Sequence, residues 1–149
     1  MHHANSISSL IQNVATLLAK QSDQVLQEQL GIGVSQFRIL KIVQHSPRLL
    51  QRDIADALGQ TEASISRQVR IMHDKQLLAT HINPKNRREH ITVLTTKGFQ
   101  MTEAALEVLQ NAQAPLVDGM SEKQQLELMN ALDTLKHHIF LTSNIDSDF

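Results

Sequence analysis

Two short stretches of this chain hold side chains suited to gripping a polyanion. In TEASISRQVR, Arg67 and Arg70 stand three residues apart, preceded by Thr61, Ala63, Ser64 and Ser66. In NPKNRR, Lys85, Arg87 and Arg88 cluster around Asn86. Guanidinium groups reach base edges, guanine above all, or phosphates. Hydroxyls and helix-terminal amides suit phosphate and nearby base contacts. Small neighbours such as Ala63 and Ser66 let a helix sit deep in a groove. The chemistry these residues offer is non-covalent recognition of nucleic acid.

Charge along the chain agrees. Between Gln36 and Lys97 lie 11 of the 14 Lys and Arg and five of the 15 acids, a formal charge of +6. The rest carries three basic residues against ten acidic ones, or −7, so the overall −1 hides a basic middle between acidic ends. Distribution, more than total charge, steers a polyanion, and cations docking on phosphates gain affinity by releasing counterions.

Other chemistries find less support. There is no Cys, which removes disulfides, thiol redox sensing and thiolate metal ligands. Among eight His, the adjacent His137 and His138 point about 100° apart on a helix, while His81 and His90 lie on two candidate strands and could face each other. A zinc site needs three or four ligands, so solvated or DNA-proximal imidazoles are the better reading and no metal or cofactor is expected. Protonation of His81 or His90 would strengthen DNA binding at mild acidity. No Gly-rich phosphate loop, G-x-S-x-G elbow or H-E-x-x-H is present, so no catalytic residues are assigned and the chain is not expected to be an enzyme. No apolar run is long enough for a bilayer and MHHANSISSLIQ lacks a signal-peptide pattern, so a cytoplasmic protein without membrane contact is expected.

The 149 residues, 41% hydrophobic, are enough for one folded domain spanning 1–149. Ile7, Leu10, Ile11, Val14, Leu17 and Leu18 recur at helical spacing, and this first helix is expected to run through Leu26 and stop near Gly31 and Gly33. Ser35 is expected to cap a second helix with Phe37, Leu40 and Val43 on one side, ended by Pro47. QRDIADALGQ reads as a short helix with Ile54, Ala55 and Leu58 inward and Gly59 past its end. Thr61 caps the next, EASISRQVRIMHDKQ, with Ile65, Val69 and Met72 on one side and Ala63, Ser66, Arg67, Arg70 and Asp74 opposite.

The period then changes. Leu78–Ile82 and Glu89–Leu94 read as strands joined by NPKNRR, a hairpin with a charged tip. Thr95 caps a long helix through Phe99, Leu106 and Leu109, ending or kinking at Pro115 and Gly119. Ser121 and Gln124 have the spacing of a capping box for a last helix carrying Leu128, Leu132, Leu135 and Ile139. The tail SNIDSDF is polar and expected to fray. The fold class expected is mainly α with a small β-hairpin (α+β), a winged helix-turn-helix flanked by helices.

On the segments VSQFRILKIV, RDIADALGQTEASISRQVRIM, NPKNRR and LTTKG, the chain from Val34 to Gly98 resembles the MarR family of bacterial winged-helix regulators. The resemblance implies a homodimer with the first and last two helices interleaved. It implies a recognition helix at Thr61–Gln76 in the major groove and a wing at Asn83–Arg88 in the minor groove. It also implies a ligand crevice between the dimer helices and the winged part. The winged helix-turn-helix is then residues 34–97, with its helix-turn-helix at about 50–76 and dimerisation helices at 5–30 and 98–141. Some positions depart from the family pattern. Asn86 stands where the wing usually has Asp, Thr80 and His81 where basic residues are common, Gln76 where Gly is common, and Leu50 where Ser or Thr often caps the third helix, which would leave that helix end less well satisfied.

The expectation is a homodimeric transcription regulator, on balance a ligand-responsive repressor, that binds double-stranded DNA at a pseudo-palindromic operator. Arg67, Arg70, Ser64 and Ser66, flanked by Thr61 and Ala63, are the candidates for base-edge and nearby backbone contacts. Lys85, Asn86, Arg87 and Arg88 form the wing, and Ser35, Gln36 and Arg52 are candidates for phosphates. Ile7, Leu10, Ile11 and Val14, with Leu126, Leu128, Leu132, Leu135 and Ile139, are the candidate dimer contacts, because such wide apolar faces exceed what one small domain can cover. With four Phe as the only aromatic residues, a small-molecule effector would find little to stack on. The alternative is a winged-helix scaffold that binds protein without sequence-specific DNA binding.

Overall fold

The computed structural model describes residues 2–143, and these form two compact units that divide between residues 112 and 113. Apart from the backbone of Ser143, the polar tail lies outside the described residues.

In the first unit, α1 (His2–Leu30) reaches the core only near its end, where Leu26 is fully buried. Its earlier apolar residues stay exposed, Ile7, Leu10, Val14 and Leu17 between 46% and 67%. Gly31 then takes φ +66°, a left-handed conformation natural to glycine, and the chain reverses into α2 (Val34–His45). Ser35 does not cap α2. The N-cap is Gly33, and the carboxylate of Asp23 on α1 accepts the Val34 N–H at 2.9 Å. A tertiary contact satisfies a helix end that the local sequence leaves open.

Phe37, Ile39, Leu40 and Val43 of α2 enter the core. Strand β1 (Leu49–Leu50) is too short to show a sequence period, and it leads into α3 (Gln51–Leu58). Leu50 has no capping oxygen, but the Leu50 N–H donates to Asp53 Oδ2 at 3.0 Å, so that helix end is better satisfied than expected. Gly59 at φ +61° closes α3, and the Gln60 N–H returns to the Ala55 carbonyl at 2.9 Å. Then α4 (Glu62–Asp74) begins at Thr61, whose Oγ1 accepts the Ser64 N–H at 3.2 Å. Ile65, Val69 and Met72 are buried, with Ile54 and Ala55 of α3 in the same core. Each fully buried aliphatic side chain of this core contributes about 1.5–3 kcal/mol.

The sheet is antiparallel, in the order β1, β3 (Asn86–Leu94), β2 (Leu78–Asn83). Leu49 and Thr80 flank Thr92, which is fully buried. From Thr95, α5 (Thr96–Gln113) runs on, with the Thr95 hydroxyl accepting the Gly98 N–H at 2.9 Å. Gly98, Thr102 and Ala105 of α5 are buried, while Phe99 is 51% exposed.

The second unit holds a 3-10 turn, Ala114–Val117, and α6 (Glu122–Ser143). The capping box forms: the Ser121 N–H donates to Gln124 Oε1 at 2.9 Å, and the Gln124 N–H to Ser121 Oγ at 3.3 Å. Lys136 Nζ donates to Asp133 at 2.7 Å and holds that carboxyl below its ordinary range. None of the described side chains of α6 is buried, although Leu126, Leu128, Leu132 and Ile139 lie along it.

Candidate nucleic-acid interface

The interface is built on one amphipathic helix and one ribbon. Because Ile65, Val69 and Met72 are anchored, α4 turns Ala63, Ser66, Arg67, Arg70 and Asp74 to the exposed side. Among the described residues no acid pairs with Arg67 or Arg70, so both guanidinium groups are available. At the N-terminus of α4, Thr61 is exposed and Ser64 half-buried. The Ser64 hydroxyl donates to Gln60 Oε1 at 3.3 Å, which leaves its oxygen free to accept.

The wing tip turns through Pro84 and Lys85, with Asn83 paired to Asn86 and a register shift between Ile82 and Asn83. Two asparagines organise it. Asn83 Oδ1 accepts the Lys85 N–H at 3.0 Å, and Asn86 Oδ1 accepts the Arg88 N–H at 3.2 Å. Both are local side-chain turns. Asn86 thus orders the backbone leading into Arg88 without an ion pair. Lys85, Arg87 and Arg88 are exposed, and none meets an acid among the described residues.

Not every basic residue of the middle segment is available. Lys75 Nζ donates to the Gly31 carbonyl at 2.7 Å and Lys97 Nζ to the Lys75 carbonyl at 2.9 Å. Arg52 is 60% exposed but pairs with Glu89 at 3.1 Å. Gln36 is mostly buried, 9% exposed, with Nε2 donating to Gln68 Oε1 at 3.3 Å, unlike the exposed candidates of the phosphate set. Ser35 is half-buried at the start of α2.

A cavity of about 270 Å³ opens between the start of α4, the start of α3 and the base of the wing. Arg52, Glu62, Arg88, Glu89 and His90 line it with Leu50 and Gln51. His81 does not face His90. The register sets His81 opposite Ile91 and His90 opposite Ile82, so the two imidazoles lie on opposite faces of the ribbon. Among the described residues no group of three His, Asp or Glu could hold a metal ion. Nor is any helix among them long and apolar enough to cross a membrane.

Two residues of this surface escaped the reading of the sequence, Glu89 and Asn83. The Glu89 carboxylate accepts from Asn83 Nδ2 at 2.9 Å as well as from Arg52. The only sequence signal was an acid following two arginines, and nothing marked Arg52, 37 positions away, as its partner.

Residues 30–89 match the model of the MarR family. No curated protein sequence matches the chain. The fold is that of apo MarR from E. coli, with a TM-score of 0.81 over 86% of this chain and 94% of that one, at 19% identity. A MarR/EmrR family transcriptional regulator from Acinetobacter sp. ADP1 superposes with a TM-score of 0.74 at 21% identity, covering 93% of this chain and 98% of the other. The S. aureus MepR–DNA complex is similar at 26% identity, with a TM-score of 0.72 over 88% of this chain and 96% of that one.

Proposed function

We propose that the chain is a transcription regulator of the MarR family, whose model matches residues 30–89, and that it binds double-stranded DNA sequence-specifically, as a homodimer, at a pseudo-palindromic operator. One observation carries this reading above the others. The exposed side of α4 offers unpaired Arg67 and Arg70 among Ala63, Ser64 and Ser66, on a winged fold whose ribbon ends in Lys85, Arg87 and Arg88. A rigid helix with arginines among small residues suits a major groove, and arginine at a ribbon tip suits the negative potential of a narrow minor groove. The solved MepR–DNA complex supports the comparison.

In this reading Arg67 and Arg70 take base edges and nearby backbone, with Ser64, Ser66, Thr61 and Ala63 beside them. Arg88, Lys85, Arg87 and Asn86 work at the wing, and Ser35 meets phosphate. The dimer forms through Ile7, Leu10, Ile11 and Val14 on α1 and Leu126, Leu128, Leu132, Leu135 and Ile139 on α6. The protein acts in the cytoplasm, is not an enzyme, and represses by occluding a promoter. A small-molecule effector, favouring one spacing of the two recognition helices, would release it through differential affinity.

The test separates readout from positioning. Arg67→Ala and Arg70→Ala should each cost about 1–3 kcal/mol on a selected duplex and relax its preference at one position. Arg88→Ala should weaken all duplexes alike and reduce the salt slope by about 1. Titrations by fluorescence anisotropy over a salt series measure both. Unchanged preference in the helix variants would take base readout away from Arg67 and Arg70, and a wild type that prefers no duplex would be a scaffold without sequence recognition.

A further inference from the structure

Glu89 is an acid in the middle of a basic surface, and both of its carboxylate oxygens are engaged. Arg52 Nη2 donates to Oε1 at 3.1 Å, and Asn83 Nδ2 donates to Oε2 at 2.9 Å. Arg52 stands in the first turn of α3, and Asn83 is the last residue of β2. One carboxylate therefore ties the helix-turn-helix to the ribbon and the two ribbon strands to each other. It does so where the ladder is weakest, since the pairing register shifts between Ile82 and Asn83. Its side chain is 24% exposed, so the charge is partly withdrawn from solvent while Arg52 remains 60% exposed. The same carboxylate also occupies a guanidinium that would otherwise be open to any phosphate. Arg88, Glu62 and His90 line the same cavity as this pair, and Asp53 lies 3.9 Å from Arg52 Nε.

We propose that Glu89 is a specificity-determining positioning residue: it fixes the wing against the helix-turn-helix through Arg52 and Asn83, and it keeps Arg52 from pairing with phosphate on non-target DNA. The proposal rests on the DNA-binding reading above and goes beyond it, because it assigns discrimination to an acid rather than to a cation that pairs with phosphate. Two consequences follow with opposite signs. Without the carboxylate the wing loses its anchor, and contacts that depend on wing position weaken. The surface also sheds a negative charge and leaves Arg52 with only its longer contact to Asp53 at 3.9 Å, so binding by counterion release strengthens on any sequence. A residue that merely stabilised the fold would lower both affinities together.

Glu89→Gln keeps the shape and removes the charge. Wild type and variant are titrated over a salt series against the duplex enriched from a random pool and against an unrelated duplex of equal length. Amide exchange is followed through residues 83–90 in both proteins. The expected result is a specificity ratio lower by about tenfold or more, with non-specific affinity unchanged or raised. The non-specific salt slope should steepen by about 0.9, and exchange at the wing should quicken. Arg52→Ala, which loses the anchor and leaves the Glu89 charge unneutralised on the basic surface, should weaken both duplexes. An unchanged specificity ratio in Glu89→Gln overturns the proposal, as does an equal loss on both duplexes with the same salt slope. If wild type prefers no duplex, the DNA-binding reading fails separately, and unchanged exchange at residues 83–90 then overturns the anchoring role as well.

Discussion

Gln76 and Gly98 both lie at the junction that leads out of α4, Gly98 against the Leu77 backbone, and both carry steric constraints. Gln76 sits at φ +61°, where a Cβ is strained, held by its N–H donating to the His73 carbonyl at 2.8 Å and its carbonyl accepting the Thr95 hydroxyl at 2.6 Å. Gln76→Gly should therefore raise stability by up to about 1 kcal/mol, read as a higher urea midpoint at constant m-value. A lower midpoint would mean that the side chain contributes more than the strain costs. Gly98 is the reverse case. A Cβ there would overlap the Leu77 carbonyl oxygen, so Gly98→Ala should cost about 1–3 kcal/mol and lower Tm. The Gly that the family pattern favours at position 76 thus has a physical cause, whereas nothing in the local sequence told that Gly98 abuts Leu77.

At the scale of elements, what was legible depended on how far apart the partners lie. The caps at Thr61, Thr95 and Ser121 act on amides three residues away, and all three form as spacing suggested. The burial of Ile65, Val69 and Met72, and with it the exposed side holding Arg67 and Arg70, followed from helical period alone. Failures came where a distant residue intervened. Asp23, 11 positions upstream, caps α2 in place of Ser35, and Glu89 engages Arg52 from 37 positions away. Gln36 looked like a surface polar residue until Gln68 packed beside it. Strand β1 has two residues, too few for any alternation. Asp23→Ala should accordingly cost about 1 kcal/mol in chemical denaturation, and Asp23→Asn, which keeps an acceptor oxygen, much less. Equal losses in both would point to charge rather than to the hydrogen bond.

The whole molecule presents more apolar surface than a single chain covers. Leu10 and Leu17 on α1 are 64% and 67% exposed, and Leu126 and Met129 on α6 are 60% and 66% exposed. Faces of this kind mark association. Light scattering at micromolar concentration should return twice the chain mass of 16.7 kDa, and Leu10→Glu or Leu132→Glu should return the chain mass and weaken operator binding. A wild-type monomer would remove the dimeric part of the account and leave each winged unit to act alone.

Selection of bound duplexes from a random DNA pool, with sequencing of what is retained, tests the central claim most directly. A homodimer with one recognition helix per subunit predicts enrichment of an inverted repeat whose half-sites lie about one helical turn apart. A folded dimer that enriches no sequence would contradict it.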